Sequence, residues 1–596
     1  MTKLTAMIQK ARQQQAGDRR WYEGDHLVVE ALAGTGKTFT LVVGLAFIFR
    51  KQIPGIWKLV VDHFGFNPED TASPQQAAVW AALEKPHISG RRVRLPKFIT
   101  YVAFNKSIVQ EFSAKYQWLV AAFQTHGIKL TFSTCHSLGY SAVRKAWDVK
   151  GNPNKFKTDD ILESILGRDL REVVAKSPKM EVQIQAVREL VKHAKNSLVD
   201  SDHDELAGLA AHHLIEMGDQ EQVFKLVGQV LEESLRWSHT VDFSDMIWVP
   251  NMLDLKVFRS NLLLGDEAQD WNSAQQGVIL KAAGRGVISG DTFQAIYGWA
   301  GADVDSIPNM TKRMGLSGTK VHTLPLTMTR RCGKAIVREA QKIVPAFEAH
   351  ESNPEGEILD ISSDKAREMV KDSDMILCRT NAPLVAWAFR LIRQGKKANI
   401  QGRDLGQGLI SLVEKLAKKG AKRSRGCSIS KLTERIMEWA DQEEAKIRKD
   451  KKPNEEALIR IQDHKACLLI FTEGAKSVKE VTKAIERAFQ GLVCPKCGKH
   501  YDESESRCGG EKTRYRAAWG CGGVILEKPE GILLSSIHRS KGLEADRVFL
   551  LRPDLLPHPM AKQKWARRQE THLEYVAKTR AIQTLAIVEP DPKEDE

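Results

Sequence analysis

The stretch His26-Leu-Val-Val-Glu-Ala31-Leu-Ala-Gly-Thr-Gly-Lys-Thr38 decides the reading of this chain. A β-branched apolar run enters a glycine-containing turn, and a second apolar run, Phe39-Thr-Leu-Val-Val-Gly-Leu-Ala46, leaves it. That order predicts a strand, a loop and a buried helix. Gly34 and Gly36 allow the backbone N–H groups from Ala33 through Thr35 to Thr38 to close around phosphate, because glycine takes up conformations that other residues avoid. Lys37 would reach the β- and γ-phosphates of a nucleoside triphosphate such as ATP, and Thr38 would place its hydroxyl on Mg²⁺. The usual first glycine of such a loop is Ala31 here.

Around this loop lies a chain of 596 residues, 42% hydrophobic and 28% charged, long enough for several domains. No apolar run approaches the ~18 residues of a membrane span, and Leu41 to Phe49 reads as the core helix behind the loop. Met1 to Arg20 mixes Lys, Gln and Arg without an apolar centre, so no secretion signal is expected. The expectation is a cytoplasmic protein, bacterial or phage-encoded, with no membrane partner. A formal charge of +14 favours a polyanion, nucleic acid above all, although solubility alone would also explain it. Nine cysteines do not suggest a disulfide framework: five are scattered and four fall between Cys494 and Cys521.

Upstream, Gln14 in Gln13-Gln14-Gln15 could read an adenine edge with its paired donor and acceptor, or lie on a solvated helix. Ser73-Pro-Gln-Gln-Ala-Ala-Val-Trp80 offers a similar pair of glutamines after the loop. Phe98 to Lys106 reads as a strand ending in Phe104, Asn105 and Lys106, where ligands bind in an open α/β sheet. Thr131-Phe-Ser-Thr-Cys-His-Ser-Leu138 repeats the arrangement, with Thr134 and His136 suited to a phosphate backbone or to ordinary turn chemistry. Residues 140 to 240 carry helical patterns and many charges. The strand pattern returns at Val257 and ends in Asp266-Glu267: Asp266 can hold Mg²⁺, and Glu267 can orient and deprotonate an attacking water. A further strand ends in Gly290-Asp291, with Gln294 placed to sense a γ-phosphate. Tyr297 and Trp299 beyond it offer faces for stacking bases or for core packing.

In this order the phosphate loop, Asp266-Glu-Ala-Gln-Asp270 and Gly290-Asp-Thr-Phe-Gln-Ala-Ile-Tyr297 resemble the UvrD/Rep-like superfamily 1 DNA helicases, and Ala103-Phe-Asn-Lys106 resembles the F-box-helicase branch. The resemblance extends to Leu326-Thr-Met-Thr-Arg-Arg-Cys332. It implies that Arg331 touches the γ-phosphate and that Arg330 stands where relatives stack an aromatic residue on adenine; a guanidinium plane can also stack. Ile532 to Glu544 is similar to the segment that links nucleotide, at Glu544, to the bound strand, at His538. Glu570 to Ala581 is similar to the segment whose arginine, here Arg580, is a second finger on the γ-phosphate.

The fold implied by the resemblance is α/β, with two RecA-like P-loop NTPase lobes and nucleotide between them. Lobe 1 would be residues 1–139 and 236–312, interrupted by a helical insertion at 140–235. Lobe 2 would be 313–404 and 529–596, interrupted at 405–528 by an insertion with a zinc-ribbon-like module. Asp242-Phe-Ser-Asp-Met246 is similar to a family segment near the strand path. Within the second insertion, Cys494-Pro-Lys-Cys497 with Cys508 and Cys521 could hold a structural Zn²⁺, with His500 as a substitute ligand, or could be free thiols. Lys415 to Arg425 and Lys446 to Lys452 read as solvated helix faces or linkers.

The activity implied is that of an ATP-dependent 3′–5′ helicase that translocates on single-stranded DNA and unwinds duplex, in DNA repair, recombination or replication, with proteins of those processes as partners. A motor that strips proteins from single strands, alone or within a complex, and a nucleic-acid-binding scaffold that has lost hydrolysis are the other readings.

Overall fold

Parallel strands buried on both faces need near-continuous apolar runs. The run at His26–Ala31 meets that demand: every residue of this strand, β1, is buried except Glu30. The structure is a computed structural model that describes residues 25–53, 55–84, 95–103, 105–149, 151–213, 215, 217–296, 305–316, 318–418, 427–448, 455–489, 492–493, 500–501 and 531–590. The chain divides into two compact units, Met1–Met328 and Thr329–Glu596.

In the first unit β1 is joined by β2 (Phe98–Ala103), β3 (Lys129–Thr134), β4 (Ser260–Gly265), β5 (Ala283–Gly290) and β6 (Val321–Leu326). They form one sheet in the order β3-β2-β4-β5-β1-β6, parallel throughout. Helix α1 (Lys37–Phe49) follows β1 and is buried from Thr40 to Phe49. It packs against α2 (Pro74–Glu84), whose Trp80 indole donates to the Thr40 carbonyl at 2.9 Å. The glutamines of that stretch have structural work: Gln76 exchanges hydrogen bonds with Ser73 as a helix cap, and Gln75 clamps Thr327 through both its amide atoms.

After β2 comes α3 (Lys106–Lys115), and after β3 comes α4 (Cys135–Trp147). From α4 to the next sheet strand, β4, the described residues form helices and no strand, including α5 (Lys157–Leu166), α6 (Pro178–Ser197), α7 (His203–His213), α8 (Gln220–Arg236) and α9 (Asp245–Met252). These helices have their own apolar core, with Ile184, Leu190, Val227 and Trp248 fully buried. A buried ionic cluster crosses it. Lys157 meets Asp245 at 2.7 Å, and Lys195 meets Asp242 at 2.9 Å and Asp245 at 2.8 Å. Helices α10 (Ser273–Ala282) and α11 (Ser306–Gly315) precede β5 and β6 in sequence.

The second unit repeats the parallel design with β7 (Glu357–Ile361), β8 (Met375–Cys378), β9 (Ala398–Ile400), β12 (Ile532–Ser536), β13 (Ala545–Leu551) and β14 (Ala581–Val588), while β10 (Leu492–Val493) and β11 (His500–Tyr501) stand apart from that sheet. The sheet order is β9-β12-β8-β13-β14-β7. Helix α12 (Ala382–Arg393) follows β8. Between the neighbours β9 and β12 the chain leaves the sheet for α13 (Arg403–Lys418), α14 (Ile429–Arg448), α15 (Glu455–Thr472) and α16 (Val478–Ala488), then β10 (Leu492–Val493) and β11 (His500–Tyr501), which pair antiparallel. Leu409, Leu432, Leu468 and Ile485 from these helices share one core with Ile376 and Leu534 of the sheet. The basic stretches expected on helix faces do lie there in part: Lys418 and Lys446 sit in last turns and pair with Glu414 and Glu443. Helix α17 (Lys564–Lys578) precedes β14. Among the described residues no helix is long and apolar enough to cross a membrane.

Candidate active site

The carboxyl ends of β1, β4 and β5 lie side by side in the first sheet, the place where open α/β sheets bind ligands. The loop from β1 is shaped by Gly34 and Gly36, with φ of +66° and +77°, conformations in which a side chain would be strained. Thr35 is buried and ties the loop to itself, its hydroxyl donating to the Leu32 carbonyl at 2.9 Å. Gly36 is the residue before α1, so the free N–H groups of that helix open beside Lys37 and Thr38. Such an end attracts an anion.

Lys37 and Thr38 each meet one of the two acids at the end of β4. Lys37 Nζ lies 3.1 Å from Glu267 Oε1, and Thr38 Oγ1 donates to Asp266 Oδ2 at 2.8 Å. Asp266 also accepts from the Tyr101 hydroxyl at 2.8 Å and from the Glu267 N–H at 2.9 Å. Glu267 itself has φ +56°, a left-handed conformation uncommon outside glycine and of the kind stored at functional sites. From the end of β5, Asp291 is fully buried and accepts from Gln294 Nε2 at 2.7 Å.

The charges act on one another. Burial opposes the Lys37 ammonium, but Glu267, Asp266 and Asp291 outweigh it and hold the amine above its ordinary value. Burial, then repulsion from Glu267, raises Asp266. Burial also raises Asp291, to about 6, against the pull of Lys37. Three carboxyl groups thus share one lysine. A hydroxyl and buried carboxylates short of positive charge are the donor set that suits a hard divalent cation, so these residues fit Mg²⁺, with Thr38 and Asp266 nearest to hand.

The second unit gathers three distant segments. Arg331 Nε lies 2.5 Å from Glu544 Oε2, and its Nη1 is 3.4 Å from the Thr579 carbonyl. Arg580, 1% exposed, donates to the carbonyls of Val576 and Leu543, both at 3.0 Å. Arg330 is exposed. His538 is held neutral, its pKa pushed well below the usual value by burial and by Arg379 and Arg539.

Of the residues expected at a strand path, Asn105 caps α3 by accepting from the Ile108 N–H at 2.9 Å, and Lys106 opens that helix, exposed. Thr134 caps α4 in the same way through Ser137. His136 sits in the first turn of α4, its pKa lowered by burial. Phe243, in the segment from Asp242 to Met246, keeps its ring 60% exposed, while Asp242 and Asp245 on either side are locked by Lys157 and Lys195. Gln14, Phe104, Tyr297, Trp299, Cys494, Cys497, Cys508 and Cys521 lie outside the described residues.

Sequence reasoning did not pick out Tyr101, Asp291 or Gln269 as partners of the acids. Tyr101 shares its strand with another polar residue, Thr100, and only the pairing of that strand with β4 brings its hydroxyl to Asp266, so no local signal marks it.

Residues 83–315 match the UvrD/REP helicase N-terminal domain, and residues 523–589 match the UvrD-like helicase C-terminal domain. The chain belongs to the UvrD/Rep-like helicase family. Relatives of this UvrD/Rep-like chain include the ATP-dependent DNA helicase Rep of Buchnera aphidicola, 28% identical over 30% of this chain and 28% of the relative. DNA helicase II of Escherichia coli is 35% identical over 18% of this chain and 16% of its own length. The ATP-dependent DNA helicase UvrD1 of Mycobacterium tuberculosis is 24% identical over 49% of this chain and 34% of its own length. The UvrD/Rep-like chain therefore spans about a third or less of each of these relatives.

Proposed function

We propose that this protein is an ATP-dependent motor of two RecA-like lobes that translocates 3′ to 5′ on single-stranded DNA and unwinds duplex DNA. The observation that carries the reading is the meeting of Lys37 and Thr38, at the start of one buried helix, with Glu267 and Asp266, at the end of a neighbouring strand. A phosphate-binding helix end beside paired acids is the apparatus for attacking a terminal phosphate with water.

The residues would divide the work as follows. The N–H groups of Ala33 to Thr38 bind the phosphate chain of ATP, and Lys37 moves from Glu267 to the β- and γ-phosphates. Thr38 and Asp266 would hold Mg²⁺, which supplies charge neutralisation on the phosphates. Glu267 orients a water and takes its proton, while Gln294 marks the γ-phosphate position. Gln14 and Arg330 are assigned to the base. Arg331 and Arg580 bring positive charge to the transferred phosphate, with Glu544 at the nucleotide. On the strand side we assign Phe104, Asn105, Lys106, Thr134, His136, Tyr297, Trp299 and His538, and we add Phe243, an exposed ring on a fixed base. Stacking on such rings contributes ~1–3 kcal/mol per base.

A structural Zn²⁺ on Cys494, Cys497, Cys508 and Cys521 belongs to the same proposal. The paired strands β10 and β11 flank Cys494-Pro-Lys-Cys497 in sequence, the arrangement of a zinc knuckle. Metal content of the purified protein tests it: one zinc per chain supports the site, and none removes it.

The deciding experiment measures ATP hydrolysis against added single-stranded DNA, beside strand separation on duplexes with a 3′ or a 5′ tail. Stimulated hydrolysis with unwinding from the 3′ tail alone supports the reading. Stimulation without unwinding favours a motor that strips proteins or needs a repair or replication partner, and absence of hydrolysis overturns the enzyme.

A further inference from the structure

Gln269 has no part in the roles above, although it is 1% exposed and lies between the two acidic turns. Its amide spans them. Nε2 donates to Glu267 Oε2 at 2.5 Å, and Oε1 accepts from the Asp291 N–H at 3.0 Å. An uncharged amide can donate to a carboxylate with one end and accept from a backbone N–H with the other. A carboxylate in its place would set like charge against Glu267, and a hydrocarbon would satisfy neither neighbour.

The surroundings are built to hold it. A Cβ added at Gly290 would lie 2.6 Å from Gln269 Oε1 and 3.1 Å from its backbone nitrogen, so the end of β5 must be glycine for the turn after β4 to lie against it. Asp291 in turn accepts from Gln294. On the other flank the Ser306 hydroxyl, at the start of α11, lies 2.7 Å from the Ala268 carbonyl and 2.9 Å from that of Trp271. The residues after β5 and the start of α11 are therefore both fastened to the short turn that carries Gln269.

We propose that Gln269 is a positioning residue that aims the Glu267 carboxylate and couples it to the Asp291–Gln294 turn. The inference rests on the assignment of Glu267 as the water-activating group. In the structure Glu267 has Lys37 as its cation at 3.1 Å. Phosphate competes for that amine, and once Lys37 turns to phosphate the Gln269 N–H keeps the carboxylate in place. The Asp291 N–H fixes the other end of the amide, so a shift of the turn that carries Gln294 moves the aim of Glu267.

The test uses the full chain with Gln269→Ala and Gln269→Met, beside wild type and Glu267→Gln. Turnover is measured with and without an oligothymidylate, and binding with a fluorescent non-hydrolysable ATP analogue. For both Gln269 variants we expect the analogue to bind within about twofold of wild type and KM for ATP to hold. The expected kcat falls by about 10- to 100-fold, the scale of a catalytic group misplaced by about 1 Å, and the stimulation by DNA shrinks toward none. Gly290→Ala, which displaces the amide from the other side, should give the same pattern. Should Gln269→Ala fail to fold, Gln269→Met, which keeps the length of the side chain, decides. Wild-type kcat and stimulation in Gln269→Met, or loss of nucleotide binding in step with kcat, overturns the proposal. If Glu267→Gln itself turns over normally, the assignment of Glu267 is what fails. If Glu267→Gln is inert and Gln269→Met is normal, only the role of Gln269 falls.

Discussion

Arg331 and Glu544 form an ion pair of 2.5 Å between residues more than two hundred positions apart in sequence, in a cluster with Thr579 and Arg580. Three segments picked out separately by their resemblance to helicase motifs thus converge inside one unit. The Glu544 side chain is 49% exposed, so the pair contributes little to stability, within ~1 kcal/mol.

That difference makes a clean variant. Arg331→Ala should leave the unfolding midpoint close to wild type and leave ATP binding intact, while kcat drops by about 10³-fold, the scale of a lost arginine finger. Thermal melting and steady-state hydrolysis on one preparation separate the two effects. A fall in melting temperature proportional to the loss of rate would make Arg331 a structural residue.

Tyr101 supports Asp266, the acid proposed to hold Mg²⁺, its hydroxyl 2.8 Å from Asp266 Oδ2 and its ring wholly buried. Groups that orient a metal ligand typically alter affinity by about 10- to 100-fold. Tyr101→Phe should therefore raise the Mg²⁺ concentration for half-maximal hydrolysis by about tenfold, with kcat recovered at saturating Mg²⁺. A Mg²⁺ titration of hydrolysis is the check, and an unchanged midpoint would leave Tyr101 as core packing alone.

The cluster of Lys157, Lys195, Asp242 and Asp245 separates stability from strand contact. Lys195 is 1% exposed and bridges both aspartates, which hold its ammonium above the ordinary lysine range in spite of burial. Removing one partner of a buried pair leaves the others uncompensated, at a cost of ~3–5 kcal/mol. Lys195→Met should show that loss in denaturant unfolding. Phe243→Ala, at an exposed ring, should unfold like wild type but bind single-stranded DNA several-fold more weakly by fluorescence anisotropy. Equal binding would remove Phe243 from the strand path.

The strand, glycine turn and buried helix around Lys37 were legible because they are local: Gly34, Gly36, Lys37 and Thr38 are neighbours in sequence, and the buried helix behind them follows directly. The meeting of Asp266 and Glu267 with Thr38 and Lys37 was legible because two acids closing an apolar strand need positive charge or donors beside them. Gln269 and Tyr101 were not, since each acts through a contact made only when β4, β5 and β2 are laid side by side. The glutamines of Ser73 to Trp80 show the opposite case. They look in sequence like groups that read a base, yet Gln76 caps its own helix with Ser73, in the Ser-x-x-Gln spacing of a capping box, and Gln75 clamps Thr327, a distant partner that no local spacing singles out. The cysteines behind the zinc-module reading of the second insertion lie outside the described residues, while Arg403 to Ala488 of that insertion supplies four helices that share the core of the sheet.

A pH dependence is built into the helices of the first unit. His193 on α6 and His213 on α7 stack with ring centroids 3.6 Å apart and planes 19° from parallel. Burial, reinforced by Lys192 and His212, lowers His193 to about 4, and burial with His193, His212 and Lys192 lowers His213 to about 3. In the unfolded chain both rings take up protons near pH ~6.5. Between that value and about 4 the unfolded state binds more protons than the folded state, so stability falls as pH falls through this window. Above it the contribution is complete and flat. The urea midpoint should therefore drop from neutral pH to about pH 5, a range set by the unfolded pKa. His193→Phe, which keeps an aromatic ring in the stack but removes its titration, should make the drop shallower, the remainder coming from His213 and from other buried histidines such as His26 and His558. An equally steep drop in that variant would place the acid sensitivity elsewhere in the protein.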